Sequence, residues 1–274
     1  DQDCSGTDLS CDDVDNDGDG LTENDGDCND EDISRYTYYP SSLAIDETNQ
    51  DTLLTIFAST DCGIDGSLVI ENTTLRNLQR FSQIKKINGS LTIQDNTKLI
   101  DTSNLSNLTH IGRNILIAYN DSLTELTGLD SVQTPSDNQI NIMGNDALLT
   151  INTFQSITQL NYLYIGGNES LTEINGFNNL TEISGMMYFY HNSSLTDIDG
   201  FNAMTSIATL KISLNEFLEQ ITGFQNLEEI TIELNITDNR YLIGCYLMPL
   251  ETLASPDATI DISGNLEESA YECE

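Results

Sequence analysis

One sequence phrase returns along the chain every 23 to 26 residues, and it constrains the fold more than any other feature. The phrase has two apolar residues two positions apart, then an asparagine, then a leucine. Its copies begin at residues 91, 115, 140, 163, 187, 210 and 234, with a shortened copy at 68–75 and a terminal one at 260–265. A repeat of this length is typical of solenoid proteins, in which each repeat forms one coil.

Each repeat carries three apolar segments, which predict a roughly triangular coil. The first segment alternates with a period of two, as in a strand with one buried face. In the copy at 163–171 we expect Leu163 and Ile165 to point inward, and Tyr162, Tyr164 and Gly166 to point outward. The sequence therefore predicts an all-β fold, a right-handed parallel β-solenoid of about nine coils around one continuous core.

One asparagine recurs at the same position of consecutive coils: Asn96, Asn120, Asn145, Asn168, Asn192, Asn215, Asn239 and Asn265. A tight turn directs backbone N–H and C=O groups inward, and an asparagine amide offers donors and an acceptor to pair with them. We therefore expect a buried asparagine ladder. The alternative, an ordinary turn residue, does not explain one fixed position in eight coils. In the shortened copy we place Asn72 at this position.

The formal net charge is −36, with only nine Lys and Arg against 45 Asp and Glu. This excess argues against nucleic acid or an anionic membrane surface as a partner. No run of 18 apolar residues occurs, so we predict no membrane insertion. The composition suits a protein secreted into a medium rich in salt and calcium.

The cysteines lie near the two ends of the chain: Cys4, Cys11, Cys28, Cys62, Cys245 and Cys273. An even number without a CxxC pair is typical of disulfides formed in an oxidising compartment. We predict that Cys245 pairs with Cys273, whereas the other four have three possible pairings. The expected location is extracellular, at the cell surface.

Residues 1–34 contain 14 Asp or Glu and no Lys or Arg. Alternate carboxylates on a loop bent by Gly18 and Gly20 can converge on Ca²⁺, which takes six to eight hard oxygen ligands. The spacing differs from an EF-hand, because position 12 counted from Asp15 is Gly26. A disordered acidic tail is the alternative, but it does not explain the glycines or the internal cysteine.

We therefore predict one or two Ca²⁺ ions, since the second acidic cluster either closes the first site or forms another. The predicted ligands are Asp13, Asp15, Asp17, Asp19, Leu21 through its backbone oxygen, Asp25, Asp27, Asp30 and Asp32.

No familiar catalytic motif occurs, and we expect no enzyme. Some β-helix enzymes acting on polysaccharides use an Asp with Lys or Arg on an outer sheet face, but here Lys211 has no neighbouring Arg. The outward positions of adjacent coils instead gather candidate ligand-binding residues: Tyr162, Tyr164, Tyr188, Tyr190, Met186 and Met143. Such a patch is typical of a protein- or carbohydrate-binding surface. Cross-strand pairing on a solvated sheet is the alternative.

Two segments resemble known families. The stretch DNDGDGLTENDGDCNDED, followed by Tyr39 and Pro40, resembles a metal-binding motif of bacterial surface proteins and the calcium loops of thrombospondin type 3 repeats and dockerins. The motifs GSLVI at 66–70 and NGSLTI at 88–93 resemble receptor L-domains, which are leucine-rich-repeat-like solenoids. These resemblances imply a calcium-binding module at 1–40 and a solenoid at 66–265, and the cysteines near the two ends favour an N-terminal cap at 41–65 and a C-terminal cap or tail at 266–274.

We therefore expect an extracellular, non-catalytic, calcium-binding surface protein that acts in adhesion or ligand recognition, with a protein or carbohydrate partner. The alternative is a structural subunit that self-assembles into a surface layer, fibre or appendage. A β-helix enzyme that acts on polysaccharides is a third hypothesis, ranked below the other two.

Overall fold

The computed structural model describes residues 42–50 and 63–266, and they form a parallel β-solenoid. The strands of the described residues are β1 Leu43–Ile45, β2 Gly63–Ile64, β3 Leu68–Glu71, β4 Lys86–Ile87, β5 Leu91–Gln94, β6 His110–Ile111, β7 Ile115–Ala118, β8 Glu125–Leu126, β9 Gln139–Met143, β10 Thr150–Ile151, β11 Gln159–Gly166, β12 Glu173–Ile174, β13 Glu182–Tyr190, β14 Ser206–Ser213, β15 Glu229–Thr237 and β16 Thr259–Ser263. Helix α1 spans Leu247–Leu253, and short 3-10 helices span Gln79–Phe81, Ser103–Leu105 and Gly244–Tyr246.

The main sheet has ten parallel strands in the order β1-β3-β5-β7-β9-β11-β13-β14-β15-β16. Two smaller parallel sheets, β2-β4-β6 and β8-β10-β12, form other sides of the coils. Each coil contributes one strand to the main sheet, so the repeated phrase of the sequence becomes a strand followed by its corner. The all-β fold and the solenoid of about nine coils are confirmed.

The core runs along the whole described solenoid and consists of the inward apolar residues of each coil. Leu163 and Ile165 are fully buried between the equivalent residues of the neighbouring coils, as predicted. Four phenylalanines from successive coils stack inside it, Phe154, Phe177, Phe201 and Phe224, with ring centroids 5.1, 5.6 and 5.8 Å apart. This stack joins the coils through their side chains as well as through their strands.

The asparagine ladder is present at the corner that follows each main-sheet strand. Seven of the predicted members, from Asn96 to Asn239, are fully buried, and Asn265 is half-buried at the end. From Asn120 onward, each Oδ1 accepts hydrogen bonds from the backbone N–H and side-chain amide of the asparagine one coil earlier, at 3.0 to 3.3 Å. The buried corner groups are therefore paired along the solenoid.

The placement of Asn72 in this ladder is wrong. Asn72 is exposed and has a φ of 51°, whereas Thr73 is buried and donates to Asn96 Oδ1 from its backbone N–H at 3.0 Å and its hydroxyl at 2.7 Å. The shortened copy carries its threonine at the ladder position, five residues after Leu68, as Asn96 lies five residues after Leu91. A hydroxyl group therefore begins the ladder.

The coils change shape along the chain. In the early coils a short third-side strand, such as β4 or β6, is separated from the main sheet by a turn at Gly89 or Gly112. A Cβ atom at Gly89 would lie 2.6 Å from the Gly66 carbonyl oxygen, so the stacked turns require glycine. In the coils of β11, β13, β14 and β15 no such turn intervenes, and the third side continues into the main strand through an irregularity. The main sheet thereby widens to strands of eight or nine residues.

Helix α1 and strand β16 complete the described part of the solenoid at its C-terminal side. Strand β16 pairs with β15 and is the last strand of the main sheet among the described residues. Within the same residues, no helix is long and apolar enough to cross a bilayer.

Candidate binding face

The widest part of the main sheet brings the predicted tyrosines together. Strands β11 and β13 pair so that Tyr164 lies beside Tyr188, Tyr162 beside Met186 and Gly166 beside Tyr190. On the other side of β11, Met143 of β9 pairs with Gly166. The cross-strand neighbours expected from the sequence repeat are therefore the neighbours found in the sheet. We call Tyr162, Tyr164, Tyr188, Tyr190, Met186 and Met143 the tyrosine face.

The tyrosine rings contact one another across and along the strands. The ring centroids of Tyr164 and Tyr188 are 5.5 Å apart in an edge-to-face arrangement, and those of Tyr188 and Tyr190 are also 5.5 Å apart. The Tyr188 hydroxyl lies 3.0 Å from the Ser213 hydroxyl on β14. All six residues of the face are half-buried. The rings are thus held in place by their neighbours while part of their surface stays open.

A glycine allows Tyr164 to lie flat along its strand. A Cβ atom at Gly166 would be 2.5 Å from both Cζ and the hydroxyl oxygen of Tyr164, and 2.9 Å from the Tyr190 carbonyl oxygen. The Tyr164 ring therefore covers the position at which a side chain of residue 166 would stand. This contact fixes the direction of the ring, so the face is preorganised.

The burial of the face changes the acidity of its phenols. Burial raises the pKa of Tyr164 to about 12, and the neighbouring Tyr188 adds to the effect. Burial likewise raises the pKa of Tyr162. A phenol is protonated at neutral pH even at its ordinary pKa, so both hydroxyls can donate hydrogen bonds to a ligand.

A charged pair borders the face on the β14 side. Lys211 lies beside Tyr188 in the register, and its Nζ atom is 2.9 Å from a carboxylate oxygen of Glu233 on β15. This contact neutralises the cation locally. The pair gives the aromatic surface a polar edge, and an apolar centre with a polar rim is common at interaction sites.

Sequence reasoning missed Tyr119 and the contact made by His191, which extend the face towards the corner of the coils. Tyr119 is 48% exposed, and a Cβ atom at Gly144 would lie 2.6 Å from its ring. The His191 ring centroid lies 6.0 Å from that of Tyr190. Both residues immediately precede a ladder asparagine and have a positive φ. A row drawn through the residue before each asparagine would have found them.

The other predicted site residues lie outside the described residues. These are the calcium ligands Asp13, Asp15, Asp17, Asp19, Leu21, Asp25, Asp27, Asp30 and Asp32, and the cysteines Cys4, Cys11, Cys28, Cys62 and Cys273. Cys245 is disulfide-bonded, and its pairing with Cys273 stays a prediction. In the part of the chain that the structure describes, no group of three His, Cys, Asp or Glu residues is placed to hold a metal ion.

Comparison with known proteins gives one family. The model of the receptor L domain matches residues 62–161, which include β2 to β10 and part of β11. No curated protein and no solved structure matches the chain. The match supports the L-domain-like solenoid, and it ends within the strand that carries Tyr162 and Tyr164.

Proposed function

We propose that this protein is an extracellular, non-catalytic, calcium-binding surface protein that recognises a ligand, or adheres to one, through the tyrosine face. One observation carries the proposal. Four tyrosines lie on the outer surface of two neighbouring strands, and the rings of three of them, Tyr164, Tyr188 and Tyr190, contact one another. Aromatic side chains with a polar tip are enriched in binding surfaces.

The arrangement of the rings favours recognition over simple sheet pairing. Cross-strand pairing explains the contact between Tyr164 and Tyr188, but Tyr162 and Tyr190 extend the aromatic surface beyond that pair. The side chains are half-buried before any partner arrives, so little conformational freedom remains to be lost on binding. Receptor L domains are ligand-binding domains and are typically extracellular, which supports the same function.

The calcium part of the proposal rests on the sequence of residues 13–32. The donors there are carboxylates and a backbone oxygen, which are the ligands that Ca²⁺ prefers. The ion would neutralise part of a segment that has no cationic residue of its own. We propose that calcium stabilises this segment, not the solenoid.

A binding screen tests the function. The disulfide-intact chain is applied to glycan and protein arrays with calcium and with EDTA. The double variant Tyr164→Ala/Tyr188→Ala is expected to lose the ligands that the wild type binds. The matched control is Phe217→Ala/Tyr241→Ala, which removes another exposed aromatic pair, 49% and 50% exposed and stacked at 5.7 Å. If the control loses the same ligands, or the double variant keeps them, the tyrosine face is not the site.

A self-assembling structural subunit is the second candidate, and the C-terminal end of the described solenoid favours it. Ile260 of β16 aligns with the buried Leu234 but is 47% exposed. A second copy could cover such a surface. Sedimentation over a wide range of concentrations separates the two functions, because recognition predicts a monomer and assembly predicts polymers.

A further inference from the structure

The few cations of this acidic chain are concentrated in one region. Six of its nine Lys and Arg lie between residues 76 and 113, where the only acidic residues are Asp95 and Asp101. This stretch has a formal charge of +4, from six cations and two carboxylates, in a chain of net charge −36. The six are Arg76, Arg80, Lys85, Lys86, Lys98 and Arg113.

Among the residues that the structure describes, none of these six cations has an ion-pair partner, although carboxylates outnumber them several-fold there. Lys211, by contrast, forms an ion pair with Glu233, with 2.9 Å between Nζ and the carboxylate oxygen. Exposed pairs of this kind form readily and contribute little to stability. The described carboxylates therefore leave the positive charge of residues 76–113 unpaired.

Part of this region forms a groove on a different side of the solenoid from the tyrosine face. Lys86 of β4 lies beside His110 of β6 in the register, and His110 lies beside Gln133 of the next coil. Neighbouring strands of a sheet are about 4.8 Å apart, so these three side chains follow one another closely. The groove has a volume of about 530 Å³ and is lined by Lys86, Asn88, Thr109, His110, Ser131 and Gln133.

We propose that this groove is a second binding site, which takes a short anionic oligosaccharide. Its lining contains no carboxylate and no apolar side chain, which is unlike a site for a folded protein partner. Lys86 supplies the positive end, where a sugar carboxylate or sulfate group would lie, and the His110 ring beside it offers an N–H donor. The amide and hydroxyl groups of Asn88, Ser131 and Gln133 match the hydroxyl groups of a sugar, because they both donate and accept hydrogen bonds. The volume lies within the usual range for ligand sites.

One carboxylate limits where the anion can lie. The side-chain amide of Asn88 donates a hydrogen bond to Asp65 on the preceding coil, at 3.1 Å. Asp65 lies beside the coil that carries both Lys86 and Asn88, so its negative charge disfavours an anion next to Asn88. The anionic group therefore lies between Lys86 and His110, on the side of Lys86 that faces away from Asp65, with the uncharged part of the sugar towards Ser131 and Gln133.

Calorimetry on the full disulfide-intact chain tests this proposal. The probes are trigalacturonate, a sulfated heparin disaccharide, maltotriose and hexaglutamate, all in EDTA so that calcium cannot bridge the probe to the acidic N-terminal segment. Two substitutions test this end of the groove separately: Lys86→Gln removes its charge, and His110→Ala removes the neighbouring ring. Lys98→Gln is the matched control, because it removes the same charge from the same stretch but outside the groove lining.

We expect at least one of the two anionic saccharides to bind with a Kd in the micromolar to low millimolar range, and maltotriose to bind at least tenfold more weakly. Lys86→Gln should weaken binding about tenfold and His110→Ala at least threefold, whereas Lys98→Gln should stay within twofold of the wild type. Comparing the two anionic saccharides tells whether the groove prefers a carboxylate or a sulfate. Three results would overturn the proposal: neither anionic saccharide binds, Lys98→Gln weakens binding as much as Lys86→Gln, or hexaglutamate binds more tightly than both saccharides. The last result would assign the groove to an acidic protein segment.

Discussion

The side-chain amide of Asn168 donates hydrogen bonds to Asn192 Oδ1 at 3.3 Å and to the Ile142 carbonyl oxygen at 3.0 Å. In turn, Asn168 Oδ1 accepts from the backbone N–H and side-chain amide of Asn145, at 3.1 and 3.2 Å. One side chain therefore ties three coils together at a corner from which water is excluded.

Replacing Asn168 with leucine should destabilise the solenoid. Asn168→Leu leaves the buried backbone N–H of Asn145 without its acceptor and removes a donor from the Ile142 carbonyl. Each unsatisfied buried group costs about 1–3 kcal/mol. Urea denaturation measures the change, with Asn178→Leu as the control because Asn178 is exposed. Equal effects of the two substitutions would contradict the role of the ladder.

The phenylalanine stack gives a second prediction on stability. Phe177 lies between Phe154 and Phe201, with centroids at 5.1 and 5.6 Å, and is fully buried. Phe177→Ala removes the middle ring and should cost about 3–5 kcal/mol, as is usual for a buried Phe. Phe217→Ala is the control at a half-exposed ring and should cost much less. A small effect at Phe177, measured by urea denaturation, would mean that the stack does not support the core.

The raised pKa of Tyr164 predicts how stability changes in alkaline solution. Its pKa is about 12 in the folded protein against an ordinary value of 10.0, chiefly because of burial. The unfolded chain therefore loses this proton first as the pH rises. The contribution is fully present below about pH 10 and is lost as the pH rises towards about 12.

We expect the free energy of unfolding to fall less steeply between pH 9 and pH 11 in Tyr164→Phe than in the wild type. Urea denaturation at three pH values in this range measures both slopes. Identical slopes would show that Tyr164 is not shielded from water on the tyrosine face.

Calcium removal should affect the N-terminal segment and spare the solenoid. An ion that binds only the folded segment stabilises it by about 2.7 kcal/mol at 100 times its Kd. EDTA should therefore speed proteolysis within residues 1–40, while the thermal unfolding of the solenoid stays unchanged. Asp17→Asn/Asp19→Asn should lower calcium uptake in calorimetry, and Asp257→Asn, at an exposed carboxylate of the solenoid, should not. The proposal fails if the intact chain takes up no calcium, or if EDTA melts the solenoid first.

Much of the fold follows from the sequence because one coil constrains the next. The spacing of the asparagines determines the register of the coils, and that register predicts Tyr164 beside Tyr188, as the sheet has them. The shortened copy at 68–75 weakens this constraint. It lacks one residue of the full phrase, so aligning its asparagine, Asn72, with the other asparagines shifts the register by one residue. The Thr73 hydroxyl donates to Asn96 Oδ1, as an asparagine amide does elsewhere in the ladder. A hydroxyl is sufficient at the end of the ladder, where fewer buried groups need a hydrogen-bond partner.

The shape of the coils was less predictable than their number. The triangular coil expected from three apolar segments holds where a glycine turn, such as that at Gly89, separates the third side from the main sheet. Without that turn the chain stays extended, and the two sides join into one long strand such as β13. The positive φ of Tyr119 and His191 could not be predicted from the sequence either, because non-glycine residues seldom adopt it.

The affinity of the tyrosine face tests the central claim most directly. For the first ligand found on an array, Kd is measured by calorimetry for the wild type, Tyr164→Ala/Tyr188→Ala and Phe217→Ala/Tyr241→Ala. Truncating aromatic anchors at an interface centre commonly costs about 2 kcal/mol or more, which corresponds to roughly a thirtyfold increase in Kd. The account predicts at least that increase for the first double variant and less than threefold for the second. Unchanged affinity in Tyr164→Ala/Tyr188→Ala, with the solenoid still folded, would contradict it.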